Sequence, residues 1–124
     1  AQPEVVTALL ESYPEGAREK DDDGWLPLHH AAAHPLVSGH VSLALLEAYP
    51  EGAREKDNDG SLPLHLAAAE GVARLHATPV VTALLEAYPE GAREKDNDGS
   101  LPLHLAAAEG VARLHATPVV TALL

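Results

Sequence analysis

Apolar positions along this chain come in short bursts at helical spacing, and each burst is bracketed by turn-forming residues. Val80, Val81, Leu84, Leu85 and Tyr88 recur three and four residues apart, which predicts one buried stripe on a helix. Thr78 is placed to cap that helix and Pro79 to open it, while Pro89 pushes Tyr88 out of helical dihedrals and ends it. Gly91 then lets the chain turn away. A second, shorter pattern precedes it. Pro63 suits a first helical position, and Leu64, Ala67 and Ala68 follow on one face until Gly71. Ahead of Pro63 stands Asp57-Asn58-Asp59-Gly60, a cluster that favours a tight turn. The unit is therefore turn, helix, loop, helix.

The unit repeats. Ala44 to Leu85 is identical to Ala83 to Leu124, an offset of 39 residues. A diverged copy comes first: Glu15 to Asp21 recurs as Glu51 to Asp57, an offset of 36. The difference arises between the two helices, where His34 to Leu46 has 13 residues and Glu70 to Leu85 has 16. Helices this short are marginal in isolation, so stacking on neighbouring units must supply their stability. No array of this kind is soluble at its ends without polar capping units, so two apolar end faces are expected, Val5, Val6, Leu9 and Leu10 at one end and Leu103, Ala106 and Ala107 at the other, and the chain is expected to self-associate through them unless neighbouring repeats or a partner cover them.

The string Asp57-Asn58-Asp59-Gly60-Ser61-Leu62-Pro63-Leu64-His65-Leu66-Ala67-Ala68 resembles the ankyrin repeat signature, D-x-x-G-x-T-P-L-H-L-A-A. It recurs from Asp21 to His29 and from Asp96 to His104, and Val80 to Ala87 followed by Gly91-Ala92 resembles the later half of that signature. The resemblance implies an all-α, ankyrin-type helix-turn-helix solenoid with hairpin-like turns. It divides the chain into a second helix of a preceding unit (1–16) and repeat units at 17–52, 53–91 and 92–124, the last truncated. Leu26, Leu62 and Leu101 replace the family's capping Thr. A lost cap costs about 1 kcal/mol, so these leucines must be buried to offset it. The signature histidine, here His29, His65 and His104, is expected to hydrogen-bond locally and brace the turn.

The family resemblance also implies the function: protein–protein interaction or scaffolding, through the turn tips and the first-helix face. By position the contact residues are Lys20, Asp22, Asp23, Trp25, Ala33 and His34 in the first unit. They are Lys56, Asn58, Asp59, Ser61, Ala69 and Glu70 in the second, and Lys95, Asn97, Asp98, Ser100, Ala108 and Glu109 in the third. Trp25, where the other units have Ser, is either a local cover for apolar surface beside Leu26 and His30 or a contact anchor. A purely structural spacer, or an assembly subunit in a longer array, is the alternative that identical units favour.

Composition narrows the partners. At 46% hydrophobic residues the chain is not disordered, yet it has no Phe, Met or Cys, so Leu, Ala and Val carry the core. A net charge of −11 repels nucleic acid and anionic membranes and favours a protein partner with a basic patch. No apolar run reaches the ~18 residues of a membrane span. Zero cysteines fit an intracellular compartment, the cytoplasm first. The chain starts without Met and stops inside an apolar stretch, which reads as a piece of a longer protein.

Chemistry-bearing patterns are few. The eight histidines raise metal binding as a lesser alternative, but no acidic partner falls at metal-site spacing and there is no H-E-x-x-H. The Asp57 turn superficially resembles a calcium loop, but a loop starting at Glu55 would carry Leu66 where a bidentate Glu is needed. There is no nucleophile elbow, P-loop or G-x-G-x-x-G, so the sequence points to no enzyme and no cofactor. Arg54-Glu55-Lys56-Asp57 reads as a solvated arm of mixed charge, or as the polar rim of a binding face.

Overall fold

A computed structural model describes residues 3–34, 39–71 and 77–108. Six α-helices occur among them: α1 (Pro3–Ser12), α2 (Pro27–Ala33), α3 (Gly39–Ala48), α4 (Pro63–Gly71), α5 (Ala77–Ala87) and α6 (Pro102–Ala108). Short 3₁₀ turns at Pro14–Arg18, Pro50–Arg54 and Pro89–Arg93 follow α1, α3 and α5. No strand occurs among the described residues, as the all-α expectation requires. The helices form two rows. The first helices, α2, α4 and α6, pack against one another in sequence, and the second helices, α1, α3 and α5, form the outer row.

The inner row is close because its facing side chains are small. Ala31, Ala32, Ala67, Ala68 and Ala106 are all within 3% of full burial, and helix separation follows side-chain size at the contact. Leu28, Val41, Leu45, Leu64, Val80, Val81 and Leu84 pack around this row in the same core. Leu26 and Leu62, which replace the capping Thr, are 1% and 0% exposed, so each lost cap is offset by a fully buried Leu. Leu101 is only half-buried.

Three local expectations are revised. The second helix of the repeat starts at Ala77, so Thr78 lies within the first turn and is not its cap. Gly91 does not act as a free hinge. It sits inside a 3₁₀ turn without positive φ, and what its missing Cβ permits is the approach of Leu64 Cδ2, which an added Cβ would meet at 3.2 Å. At the α6 end, Leu103 is half-buried and Ala107 exposed, but Ala106 is fully buried because it faces α4. At the other end Val5 and Leu9 are 52% and 64% exposed, and Val6 and Leu10 pack inward as expected. The third unit's expected second helix lies outside the described residues.

Candidate partner-binding surface

Each turn is built around one aspartate. Asp57 Oδ1 accepts the backbone N–H of Asp59 at 2.9 Å and of Ser61 at 2.8 Å. Asp21 does the same for Asp23 and Trp25, and Asp96 for Asp98 and Ser100. A short antiparallel clasp, Asp57 N–H to the Ser61 carbonyl, closes the loop at 2.9 Å. The closing glycines Gly24, Gly60 and Gly99 take φ of 78°, 77° and 80°, dihedrals that side chains resist.

Successive turns are stitched together. Asn58 donates its backbone N–H to the Asp23 carbonyl and its Nδ2–H to the Asp22 carbonyl, both at 3.1 Å. Asn97 repeats the pattern on the Asp59 and Asn58 carbonyls, at 2.9 and 3.1 Å. Beneath the tips, Lys20 pairs with Glu55 at 3.0 Å and Lys56 with Glu94 at 3.1 Å. The Arg18 guanidinium lies over the Tyr49 ring and that of Arg54 over Tyr88, at 5.0 and 5.1 Å.

The signature histidines work within and between units. Nδ1 of His29 accepts the Leu26 backbone N–H at 3.0 Å, and Nδ1 of His65 accepts that of Leu62 at 3.0 Å. The opposite nitrogen therefore carries the proton. In His29 it donates to the Ser61 carbonyl, and in His65 to the carbonyls of Glu94 and Ser100 in the following unit. A family model for ankyrin repeats, in 3 copies, matches residues 1–90.

The chain belongs to the ankyrin repeat family. No curated protein matches it in sequence. Ankyrin repeats are generally protein–protein interaction modules, and the family is typically non-enzymatic.

Within this ankyrin array the expected contact residues fall into distinct settings. Asp22, Asp23, Asn58, Asp59, Asn97 and Asp98 are exposed along one edge, with Lys20, Lys56 and Lys95 exposed below them. His34 and Ala108 are exposed, while Ala33 and Ala69 are half-buried on the first helices. Ser61 is buried under the clasp and Ser100 half-buried. The Glu70 side chain and Glu109 lie outside the described residues. Trp25 is half-buried, edge-on to His30 at 4.7 Å and stacked on His29 at 6.2 Å.

Sequence reading missed the coupling role of Arg18, Arg54, Tyr49, Tyr88, Glu55 and Glu94. The Arg54-Glu55-Lys56 run is not simply solvated, since Glu55 and Lys56 pair with groups in the neighbouring units and the Arg54 guanidinium lies over the Tyr88 ring. The available signal was recurrence: the same Tyr, Arg, Glu and Lys return in every unit at fixed offsets.

Electrostatics follow these contacts. Burial holds His29 and His65 below the ordinary imidazole value of 6.5. The hydrogen bond from His30 Nε2–H, 2.7 Å from Asp21 Oδ2, lowers the Asp21 carboxyl, with help from the Trp25 backbone N–H. Glu94 is lowered first by Lys56 and then by the Tyr88 hydroxyl. Among the described residues no three His, Asp or Glu side chains gather as a metal site, and no helix is long and apolar enough to cross a membrane. His76 and His115 lie outside the described residues.

An apolar groove of about 670 Å³ opens between α1 and α2. Leu9, Leu10 and Tyr13 form one wall, and Trp25, His30 and Ala31 the other.

Proposed function

We propose that this ankyrin array is a protein–protein recognition module whose acidic ridge of turn tips, with the exposed side of the first helices, holds a protein bearing a basic patch. The observation that supports this is a division of labour among the turn aspartates. Asp21, Asp57 and Asp96 spend their carboxylates on the turn itself. Asp22, Asp23, Asp59 and Asp98 stand exposed, on backbone fixed by the stitches between units. A preorganised row of exposed carboxylates binds cations without ordering cost at the moment of contact. An intracellular, cytoplasmic setting and a scaffolding role fit the same reading.

The test is capture from a cell extract by the full chain, compared with a variant carrying Asn at Asp22, Asp23, Asp59 and Asp98. The fold survives that change because those four carboxylates brace no turn. A basic partner held by the wild type at low salt is expected to be lost by the variant and by raised salt. A partner held equally by both would sink the ridge. The spacer reading draws on the identity of the second and third units, whose tips offer one repeated surface rather than a varied one. It predicts no specific capture at all.

A further inference from the structure

The first unit departs from the other two at one spot. It carries Trp25 where they have Ser61 and Ser100, His30 where they have Leu66 and Leu105, and His34 where they have Glu70 and Glu109. The three departures converge in space. The His30 ring lies edge-on to Trp25 at 4.7 Å and is tilted against the His34 ring at 5.9 Å. Asp21 joins them. Its Oδ1 braces the turn, while its Oδ2 accepts a hydrogen bond from His30 Nε2–H at 2.7 Å. Spacing along the sequence does not disclose this acidic partner, because the turn folds back on α2 to bring it there.

His30 and His34 stand four residues apart, so both project over the same face of α2. Paired imidazoles at that spacing hold a divalent transition metal. A nitrogen bonds such an ion at about 2.0–2.1 Å, so two ligating rings have centroids up to about 6 Å apart, and 5.9 Å falls within that reach. The carboxylate sets the tautomer. With the Nε2 proton directed at Asp21, the lone pair is on Nδ1, and a carboxylate behind an imidazole raises its basicity as a ligand. A unit stacked ahead of this one does not close the position. Leu66 holds the place of His30 in a unit that has such a neighbour, with α2 packed on α4, and it remains half-buried.

We propose that His30 and His34, steadied by Asp21, bind a divalent transition metal of the zinc and copper class through two imidazole nitrogens, with water completing the coordination. Structural zinc sites use four protein ligands; two leave the ion open positions and free to exchange with solution. The site belongs to the first unit alone. It does not involve the exposed turn-tip carboxylates, and it goes beyond the function proposed above.

The test is titration of the untagged 124-residue chain with zinc chloride in a calorimeter and, in parallel, with copper(II) chloride while Trp25 emission is followed. One zinc ion per chain is expected, and copper should quench Trp25 as it binds, because the indole lies beside His30. His30→Leu, which installs the residue of the later units, and His34→Gln should each abolish binding. Asp21→Asn keeps an oxygen for the turn's N–H groups but loses the carboxylate behind His30, and should weaken binding about tenfold. Circular dichroism checks that each variant keeps its helices. A chain that binds no zinc overturns the proposal. So does binding that His30→Leu or His34→Gln leaves intact, copper binding that leaves Trp25 emission unchanged, or an Asp21→Asn variant of undiminished affinity.

Discussion

Nδ1 of His65 accepts the backbone N–H of Leu62 at 3.0 Å, the half of a capping box that the third helical residue supplies and that survives the replacement of the capping Thr by Leu62. The same imidazole reaches the carbonyls of Glu94 and Ser100 with its other nitrogen, so one residue closes its own turn and fastens the next unit. His65→Ala is expected to cost about 2–4 kcal/mol, from a cavity together with polar groups left buried and unpaired. Thermal or urea unfolding of the variant measures it, and a loss below about 1 kcal/mol would show that the bracing is dispensable.

Acid should loosen the array through the same residues. The folded chain holds His29 and His65 below 6.5, so the unfolded chain binds protons more readily. Their contribution is complete above about pH 6.5 and is lost progressively as pH falls below it. Protonation also removes the Nδ1 lone pair that receives the Leu26 and Leu62 N–H groups. Melting temperature followed from about pH 7.5 to about pH 5 should fall, and fall less steeply when both histidines are replaced by Gln.

Gly60 and Gly99 share a φ near 80° but not a setting. A Cβ on Gly60 would collide with the Asn97 side chain and meet its backbone nitrogen at 3.0 Å, while nothing among the described residues lies within 4 Å of one on Gly99. Gly99→Ala should therefore cost about 1 kcal/mol, from dihedral strain alone. Gly60→Ala should cost clearly more, since it also displaces the stitch from Asn97. Equal losses in chemical denaturation would mean that the stitch carries no stability.

Ser42 is 1% exposed and its hydroxyl has no hydrogen-bond partner among the described residues. The residue at that place in the following unit is Val81, fully buried. Ser42→Val removes the unpaired group and adds apolar contact in a site that already accepts Val one unit later. It should stabilise the chain by about 1–2 kcal/mol, raising the midpoint of unfolding. No change, or a loss, would show that the site around α3 is too tight for the extra methyl.

Lys56 sets the titration of Glu94 more than any other group does. Lys56→Met should bring the Glu94 carboxyl up toward its ordinary range, as read by carboxyl carbon chemical shifts, with only a small loss of stability for so exposed a pair. An unmoved Glu94 would assign its lowering to Tyr88 instead.

The helical rows, the turns and their glycines were legible in the sequence because each depends on local chemistry: Pro63 opening a helix, Gly60 closing a turn, Leu62 forced inward by the loss of a cap. The bonds between units were not, because they join residues 29 to 39 positions apart, and no local pattern states which partner lies across a stacked interface. Asn58 shows this most clearly. Its turn propensity was evident, while its side chain's bond to the Asp22 carbonyl belongs to the stack. The Trp25 position illustrates the same limit, since its contacts with His29 and His30 follow the helix but its place in the groove wall follows from α1.

The stitch from Asn58 to Asp22 spans 36 residues and that from Asn97 to Asn58 spans 39, yet both close at 3.1 Å. The three extra residues lie, in sequence, between the paired helices and not in the turns that carry the stitches. Chain length and tip spacing are therefore decoupled. Insertions or deletions between the helices can accumulate over generations while the pitch of the ridge stays constant, so units of unequal size remain interchangeable to whatever reads that edge.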